Sequence, residues 1–400
     1  MTGEANNSMK RKLLFVAGSL RLGGIERSLV NLLSCLDPQK YEIDLLLFYP
    51  SGAYLSELPA HIRLVDSTRL LRIAGMTRKE AADSRSSIVI GVRNLLALLC
   101  RYCGSRRLYR SLFRWVPRLR GYDAAISFSN NVSASTLYFG YNQFVLSKVD
   151  ARQRIAWVHS DYIRAGLDTS INNEEYRQFD HIVHVSQAGK QCFDQVLPDL
   201  QDRTRVIYNT FPVQVIREQA GERTQSIAGP LRLVTVGRID ENKSIDRILR
   251  AASRLKGEGF DFEWCIVGDG ELRPKLEEEK RRLGLDDLVI FTGSADNPYP
   301  MIQSADLFVL ASKYEGMPMV VTEALILGTP VVVTRYDSAE EQIQHGVNGL
   351  ITDNGDEGLY IALLALFQDE AQLRRLQHNA LSHEFDNKAV LQQLEALWNE

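Results

Sequence analysis

Leu231-Arg-Leu-Val-Thr-Val-Gly-Arg-Ile-Asp-Glu-Asn-Lys-Ser244 begins with strand character and breaks at a glycine. Apolar residues then recur at helical spacing over 244–256. Strand, glycine turn and helix make up the repeating unit of a doubly wound α/β domain. The unit repeats downstream, with strands expected at 231–237, 262–268, 288–292, 307–310 and 330–334. Helices are expected at 271–283 and from about Pro318.

Upstream, the same alternation fills the first half of the chain. Strands are expected at 12–17, 42–48, 123–128, 154–159, 181–185 and 205–208, and a helix at 25–36. Several are continuous apolar runs, as strands covered on both faces should be. The fold class is therefore α/β, with two Rossmann-like doubly wound domains. The spacing predicts a first domain over 1–212, a polar linker over 213–230 and a second domain over 231–380. An amphipathic helix within 381–400 is expected to pack back on the first domain. Two such domains place ligands at the carboxyl ends of their strands, in a cleft.

Bulk composition agrees with this. The 400 residues suffice for two or three cores, and 45% hydrophobic and 24% charged residues are ordinary for a globular protein. The five cysteines are scattered, and the one CxxC, Cys100 and Cys103, has no second pair to complete a zinc site. Residues 1–8 are polar and read as no export signal, and no apolar run approaches the ~20 residues of a membrane span. The net charge of -3 conceals an asymmetry: residues 1–210 carry 28 Lys and Arg against 19 Asp and Glu, residues 211–400 carry 19 against 31. The two halves therefore face different partners, or each other.

The chemistry concentrates in the second half. Lys313-Tyr-Glu-Gly-Met-Pro-Met-Val-Val-Thr-Glu323 places Glu315 in a loop and Glu323 about a turn and a half into a helix. Proline suits a first helical turn, where its missing N–H costs nothing. Between the glutamates, the backbone N–H groups of Gly316, Met317 and Met319, beside Pro318, form an anion site suited to a diphosphate. Arg238 and Lys243, directly after a strand, supply two cations for the charge of a diphosphate leaving group. Val267-Gly268-Asp269-Gly270 ends the next strand with small residues that admit a ligand to the backbone.

Together these residues resemble the retaining glycosyltransferases with two Rossmann-like domains, the GT-B enzymes of family 4. The resemblance runs in order through Gly237-Arg238, Lys243, Val267 to Gly270, Phe291-Thr-Gly293, Glu315 to Glu323 and Gly328-Thr-Pro330. It implies that Glu315 contacts the donor sugar, Glu323 holds the ribose, and Arg238 and Lys243 bind the diphosphate. The backbone at 290–293, Phe291 included, would meet the base, and Gly268 would line the donor site. In the first half, Gly23-Gly24 resembles the family's glycine-rich loop. His159, in Trp157-Val-His-Ser160, stands where the family has a histidine near the transferred sugar. His181 and His184 read as structural. Asn209 stands where the family often has glycine.

The implied reaction moves a hexose or N-acetylhexosamine from a nucleotide diphosphate donor, UDP favoured over GDP, with retention. The departing phosphate would take the acceptor proton. No cofactor is expected, and no metal, since no Asp-x-Asp motif ends a strand. From Ser84 to Tyr122 there are nine arginines and no acid, interleaved with Leu108, Leu112, Phe113, Trp115 and Val116. That predicts contact with an anionic membrane surface through the segment from Arg101 to Arg120, and a lipid-linked glycan acceptor at the inner face of the plasma membrane. Nucleic acid is not expected as a partner. A sugar-nucleotide epimerase of the same fold and an inactive nucleotide-sugar-binding scaffold stay open as alternatives. A dinucleotide oxidoreductase does not, because no G-x-G-x-x-G follows either first strand.

Overall fold

The computed structural model describes residues 10–131, 135–137, 139–222, 229–382 and 384–399. The chain divides into two compact units, Met1–Thr210 with Lys388–Glu400, and Phe211–Asn387. Each is a parallel sheet flanked by helices, as the alternation of apolar runs and helical periodicity requires.

Unit 1 contains β1 (Arg11–Ala17), β2 (Tyr41–Leu47), β3 (Arg63–Val65), β4 (Leu119–Ser127), β5 (Val149–Val158), β6 (His181–His184) and β7 (Thr204–Val206). Their order across the sheet is β3-β2-β1-β4-β5-β6-β7. The central strands are apolar on both faces: Leu13, Leu14, Phe15 and Val16 of β1 are fully buried. Sequence reading missed β3, which is three residues long with Leu64 exposed and so lacks an apolar run. A buried charge fastens it instead. Asp44 of β2 accepts from Arg63 Nε of β3 at 2.7 Å and from the Tyr122 hydroxyl of β4 at 2.6 Å. Those hydrogen bonds outweigh the desolvation of Asp44 and hold its carboxyl below the usual range.

Unit 2 contains β8 (Leu231–Val236), β9 (Phe262–Val267), β10 (Val289–Gly293), β11 (Leu307–Leu310), β12 (Val331–Thr334) and β13 (Gly349–Thr352), in the order β10-β9-β8-β11-β12-β13. β13, four residues long, likewise has no periodic signature in the sequence.

The stretch 213–230 differs from its expectation as a linker. Val213–Ala220 is a helix whose Ile216 and Ala220 are buried in the core of unit 2. The four-residue spacing of those two side chains puts them on one helix face. Residues 223–228 lie outside the described residues, as do 1–9. The last helix, Lys388–Leu397, lies in unit 1, with Leu394 and Leu397 buried and Trp398 edge-on to Tyr41 at 5.0 Å.

Strand order fixes where each unit can bind a ligand. In unit 1 the chain builds outward through β1, β2 and β3, then reverses to place β4 on the other side of β1. In unit 2 it builds through β8, β9 and β10, then places β11 on the other side of β8. The loops leaving such neighbouring strands diverge, one to each face of the sheet, and open a crevice at the carboxyl edge.

Candidate donor-binding site

In unit 2 that crevice lies between the loops after β8 and β11, and these carry Lys243 and Glu315. The loop after β8 begins at Gly237, whose N–H donates to the Val267 carbonyl at 3.0 Å. Asp240 Oδ1 then accepts from the backbone N–H groups of Asn242 and Lys243, both at 3.1 Å, an Asx turn that reverses the chain. Ser244 completes the turn in the left-handed region, φ 48, and is buried before the helix Ile245–Gly257. A non-glycine residue held there marks a backbone fixed by its surroundings.

Asn242 joins this turn to the loop after β11. Its side-chain amide donates to the Tyr314 carbonyl at 3.0 Å, its Oδ1 accepts from Tyr314 N–H at 3.2 Å, and its own carbonyl accepts from Lys313 N–H at 2.8 Å. The result is that Lys243 Nζ lies 2.5 Å from Glu315 Oε1, with 18% and 13% of the two side chains exposed. Partial burial strengthens this pair relative to an exposed one. Arg238, on the same turn, is exposed, and its guanidinium has no ion-pair partner among the described residues.

The loop carrying Glu315 is supported from beneath. Ser338 Oγ donates to the Gly316 carbonyl at 2.6 Å, and Gln342 Nε2 donates to the Pro318 carbonyl at 3.0 Å and to Thr322 Oγ1 at 2.8 Å. Tyr336, fully buried near Glu315, donates its hydroxyl to Gln342 Oε1 at 2.9 Å. Burial, with Glu315 nearby, raises its pKa well above the ordinary value, so it stays a neutral donor. The amide of Asn354 holds the Lys313 and Arg335 carbonyls at 2.7 and 2.8 Å. Pro318 caps the helix Met319–Ile326, which starts with Met319 buried. Glu323 is buried in that helix and accepts from the Tyr299 hydroxyl at 3.1 Å. Met317 is half-buried.

Gly268, after β9, has φ 149, and a Cβ there would lie 1.9 Å from the Gly237 carbonyl oxygen. Only glycine fits where two loop backbones approach so closely. Its N–H donates to the Gly293 carbonyl at 2.8 Å, tying in the end of β10, where Phe291 is half-buried.

Unit 1 holds its candidates at the same kind of edge. Gly23 caps and Gly24 begins the helix Gly24–Cys35 after β1, and the Gly23 carbonyl accepts from Arg27 N–H at 3.0 Å. His159 follows β5. Its backbone N–H donates to Asn130 Oδ1 at 3.0 Å, and its ring packs on Phe128 with centroids 4.6 Å apart. Burial pushes its pKa down to about 3, against a hydrogen bond to the Phe128 backbone. The imidazole is therefore neutral near pH 7, and its Nε2 is buried without a partner among the described residues. His184 is also neutral, its pKa pushed down to about 3 first by burial and then by Lys190. Its ring packs on Phe193 in the core. Asn209 accepts from Ser28 Oγ at 2.7 Å and is not among the positive-φ residues, so the position makes no demand for glycine.

The structure thus brings Lys243 directly onto Glu315 and puts Gly268 against Gly237. It adds Asp240, Asn242, Ser338, Gln342 and Asn354, which sequence reading did not single out. An Asx residue in a strand-to-helix turn was a usable signal for the first two. Nothing local signals the others, which reach the loop from 20 or more residues away.

Residues 217–383 match the family model described as Glycosyl transferases group 1. The lipopolysaccharide core biosynthesis glycosyltransferase LpsE of Rhizobium meliloti is 33% identical over 162 residues, 40% of this chain and 46% of that protein. A Campylobacter jejuni N-acetylgalactosamine-N,N'-diacetylbacillosaminyl-diphospho-undecaprenol 4-alpha-N-acetylgalactosaminyltransferase is 24% identical over 387 residues, 92% of this chain and 93% of that one. The chain thus spans about half the length of some curated relatives and nearly all of others. The crystal structure of Anabaena HepE in complex with UDP-glucose aligns with a TM-score of 0.69 at 20% identity, covering 97% of this chain and 100% of that one. By its two parallel-sheet units and these likenesses, the chain has the GT-B architecture and is related to glycosyltransferases.

Proposed function

We propose that this protein is a retaining, metal-independent glycosyltransferase that takes a hexose or N-acetylhexosamine from a nucleotide diphosphate, UDP before GDP. Its acceptor is a lipid-linked glycan at the inner face of the plasma membrane, in cell-surface polysaccharide biosynthesis. The observation that carries the reading is the Lys243–Glu315 pair, 2.5 Å apart at the strand-order reversal of unit 2, with the exposed cation Arg238 on the same turn. HepE holding UDP-glucose, and a relative named for transfer to a diphospho-undecaprenol glycan, support the donor and acceptor classes.

In this reading Arg238, Lys243 and the backbone N–H groups of Gly316, Met317 and Met319 receive the diphosphate. They stabilise the charge that grows on it as the glycosidic bond breaks. Glu315 orients sugar hydroxyls, and Glu323 holds the ribose. The acceptor hydroxyl attacks on the face the leaving phosphate vacates, and that phosphate takes its proton. In unit 1, His159 is neutral and so can hydrogen-bond a sugar hydroxyl without adding charge, and Gly23-Gly24 opens the helix after β1.

Incubation with UDP-sugars and a lipid-diphosphate-linked glycan tests this. The expected product keeps the donor's anomeric configuration by NMR, with EDTA leaving the rate unchanged. An inverted product, or isomerised donor without transfer, would sink it.

A further inference from the structure

The helix Ser87–Cys103 in unit 1 has two apolar faces, and only one is covered. Leu96 and Cys100 are buried, with Val89, Val92 and Ala97 packed beside them in the core. On the other side Ile88, Leu95, Leu98, Leu99 and Tyr102 are 72, 54, 51, 39 and 81% exposed. At about 100° per residue these five fall within a single arc of about 100°, with Gly91 between them. Chance scatter of exposed leucines would not put all of them on one stripe over 17 residues.

The structure also changes which residues near the arginines are open. Of the apolar residues interleaved with them, Leu108, Leu112, Phe113 and Val116 are buried, and Trp115 alone is exposed, at 78%. The surface expected over the segment Arg101 to Arg120 therefore has its apolar part mainly on the preceding helix. The next helix, Ser105–Phe113, begins two residues after it, and Arg106, Arg110 and Arg114 line a cavity of about 310 Å³ with Lys148. Among the described residues Arg110, Arg114 and Lys148 make no ion pair, and only Arg106 has one, to Glu174 at 2.6 Å. The segment from Ser84 to Tyr122 itself carries nine arginines and no carboxylate, and the carboxylates that reach this cavity are Glu174, paired with Arg106, and Glu175 in its lining.

We infer that the exposed face of Ser87–Cys103, with Trp115, inserts shallowly into an anionic lipid bilayer, and that the flanking arginines meet its phosphate headgroups. A stripe of leucine and isoleucine suits the acyl boundary, Tyr102 and Trp115 suit the interface, and unpaired arginines suit anionic lipid. No described helix is long and apolar enough to cross a membrane. The inference gives the lipid-linked acceptor of the proposed function a place to be met, but its test needs no sugar nucleotide. Its failure is therefore distinct from failure of the transferase reading.

The protein is mixed with vesicles of phosphatidylglycerol and phosphatidylethanolamine, or of phosphatidylcholine alone, and sedimented. The other three tryptophans, Trp157, Trp264 and Trp398, are buried, so quenching by lipids brominated on the acyl chain reads Trp115. We expect sedimentation with the anionic vesicles, quenching of Trp115, and at least a tenfold weaker partition for the Leu95→Glu, Leu98→Glu double variant. That variant changes only exposed side chains, and circular dichroism checks its fold. If it misfolds, Tyr102→Glu is used in its place. Absent binding, equal binding to phosphatidylcholine, unquenched Trp115 or undiminished binding by the variant would overturn the inference. So would a stable dimer in solution that the variant dissociates, because a second copy would then cover the face.

Discussion

At the residue scale, the free protein uses the charge of Lys243 on Glu315. In the proposed function a diphosphate competes for that ammonium, so the two substitutions should act in opposite directions on nucleotide binding. Lys243→Ala leaves Glu315 as an unpaired anion beside the phosphates. UDP should bind weakly, and kcat should fall by roughly 10²–10³-fold, with the melting temperature little changed. Glu315→Gln frees Lys243, so UDP should bind as well or better while turnover falls. Calorimetric titration with UDP distinguishes the two, and equal weakening by both would argue that the pair is structural. A second residue prediction concerns Glu175, buried in unit 1, where it accepts from Asn131 Nδ2 at 2.7 Å. Burial raises its pKa from 4.5 to about 7, with Arg106 and the Asn131 bond opposing. Between those values the folded state keeps a proton that the unfolded chain releases, so this group's effect on stability becomes unfavourable as pH rises from 4.5 through 7. Glu175→Gln should therefore be more stable than the parent at pH 8, by up to about 3 kcal/mol, and nearly equal at pH 4. Denaturant melts at the two pH values check the sign.

At the scale of elements, the site depends on how two loops from neighbouring strands are tied. Asn242 makes that tie with both atoms of its amide and its own carbonyl. Asn242→Ala removes two side-chain bonds and should cost about 1–3 kcal/mol of stability. Because Lys243 and Glu315 then lose their fixed separation, activity should fall further than stability alone explains. Asn242→Asp restores the acceptor to Tyr314 N–H but not the donor to its carbonyl, and should recover part of the loss. An Asn242→Ala protein of normal activity would mean the loops are positioned by Ser338, Gln342 and Asn354 without it. At this scale, too, sequence and structure part company. The helix Met319–Ile326 and the strands before both loops were legible from apolar runs, Pro318 and Gly237. β3 and β13 were not, since each is short and owes its place to pairing with a neighbour rather than to its own pattern.

At the scale of the molecule, each unit has its own sheet and core, and Arg238, Lys243, Glu315 and Glu323, the residues proposed to hold the donor, all lie in unit 2. Hydrogen exchange with saturating UDP should gain protection chiefly at 237–244 and 312–320, with the sheet of unit 1 unaltered. Protection confined to unit 1 would contradict the assignment of the donor site to unit 2.

The sequence by itself determined the class of both units and the turns that carry the candidate site residues. Strand and helix are written in spacings of two to four residues, and the turns in glycine, proline and Asx. Only the tertiary structure decided that Lys243 and Glu315, 72 residues apart, meet. It alone decided that Leu108 and Leu112 go inward while Leu95 and Leu98 stay open. Both outcomes follow from which strands and helices become neighbours: strand order brings the β8 and β11 loops together, and one face of the Ser87–Cys103 helix is left without an inward partner. Local spacing gives an element its faces; packing across the fold decides what each face meets.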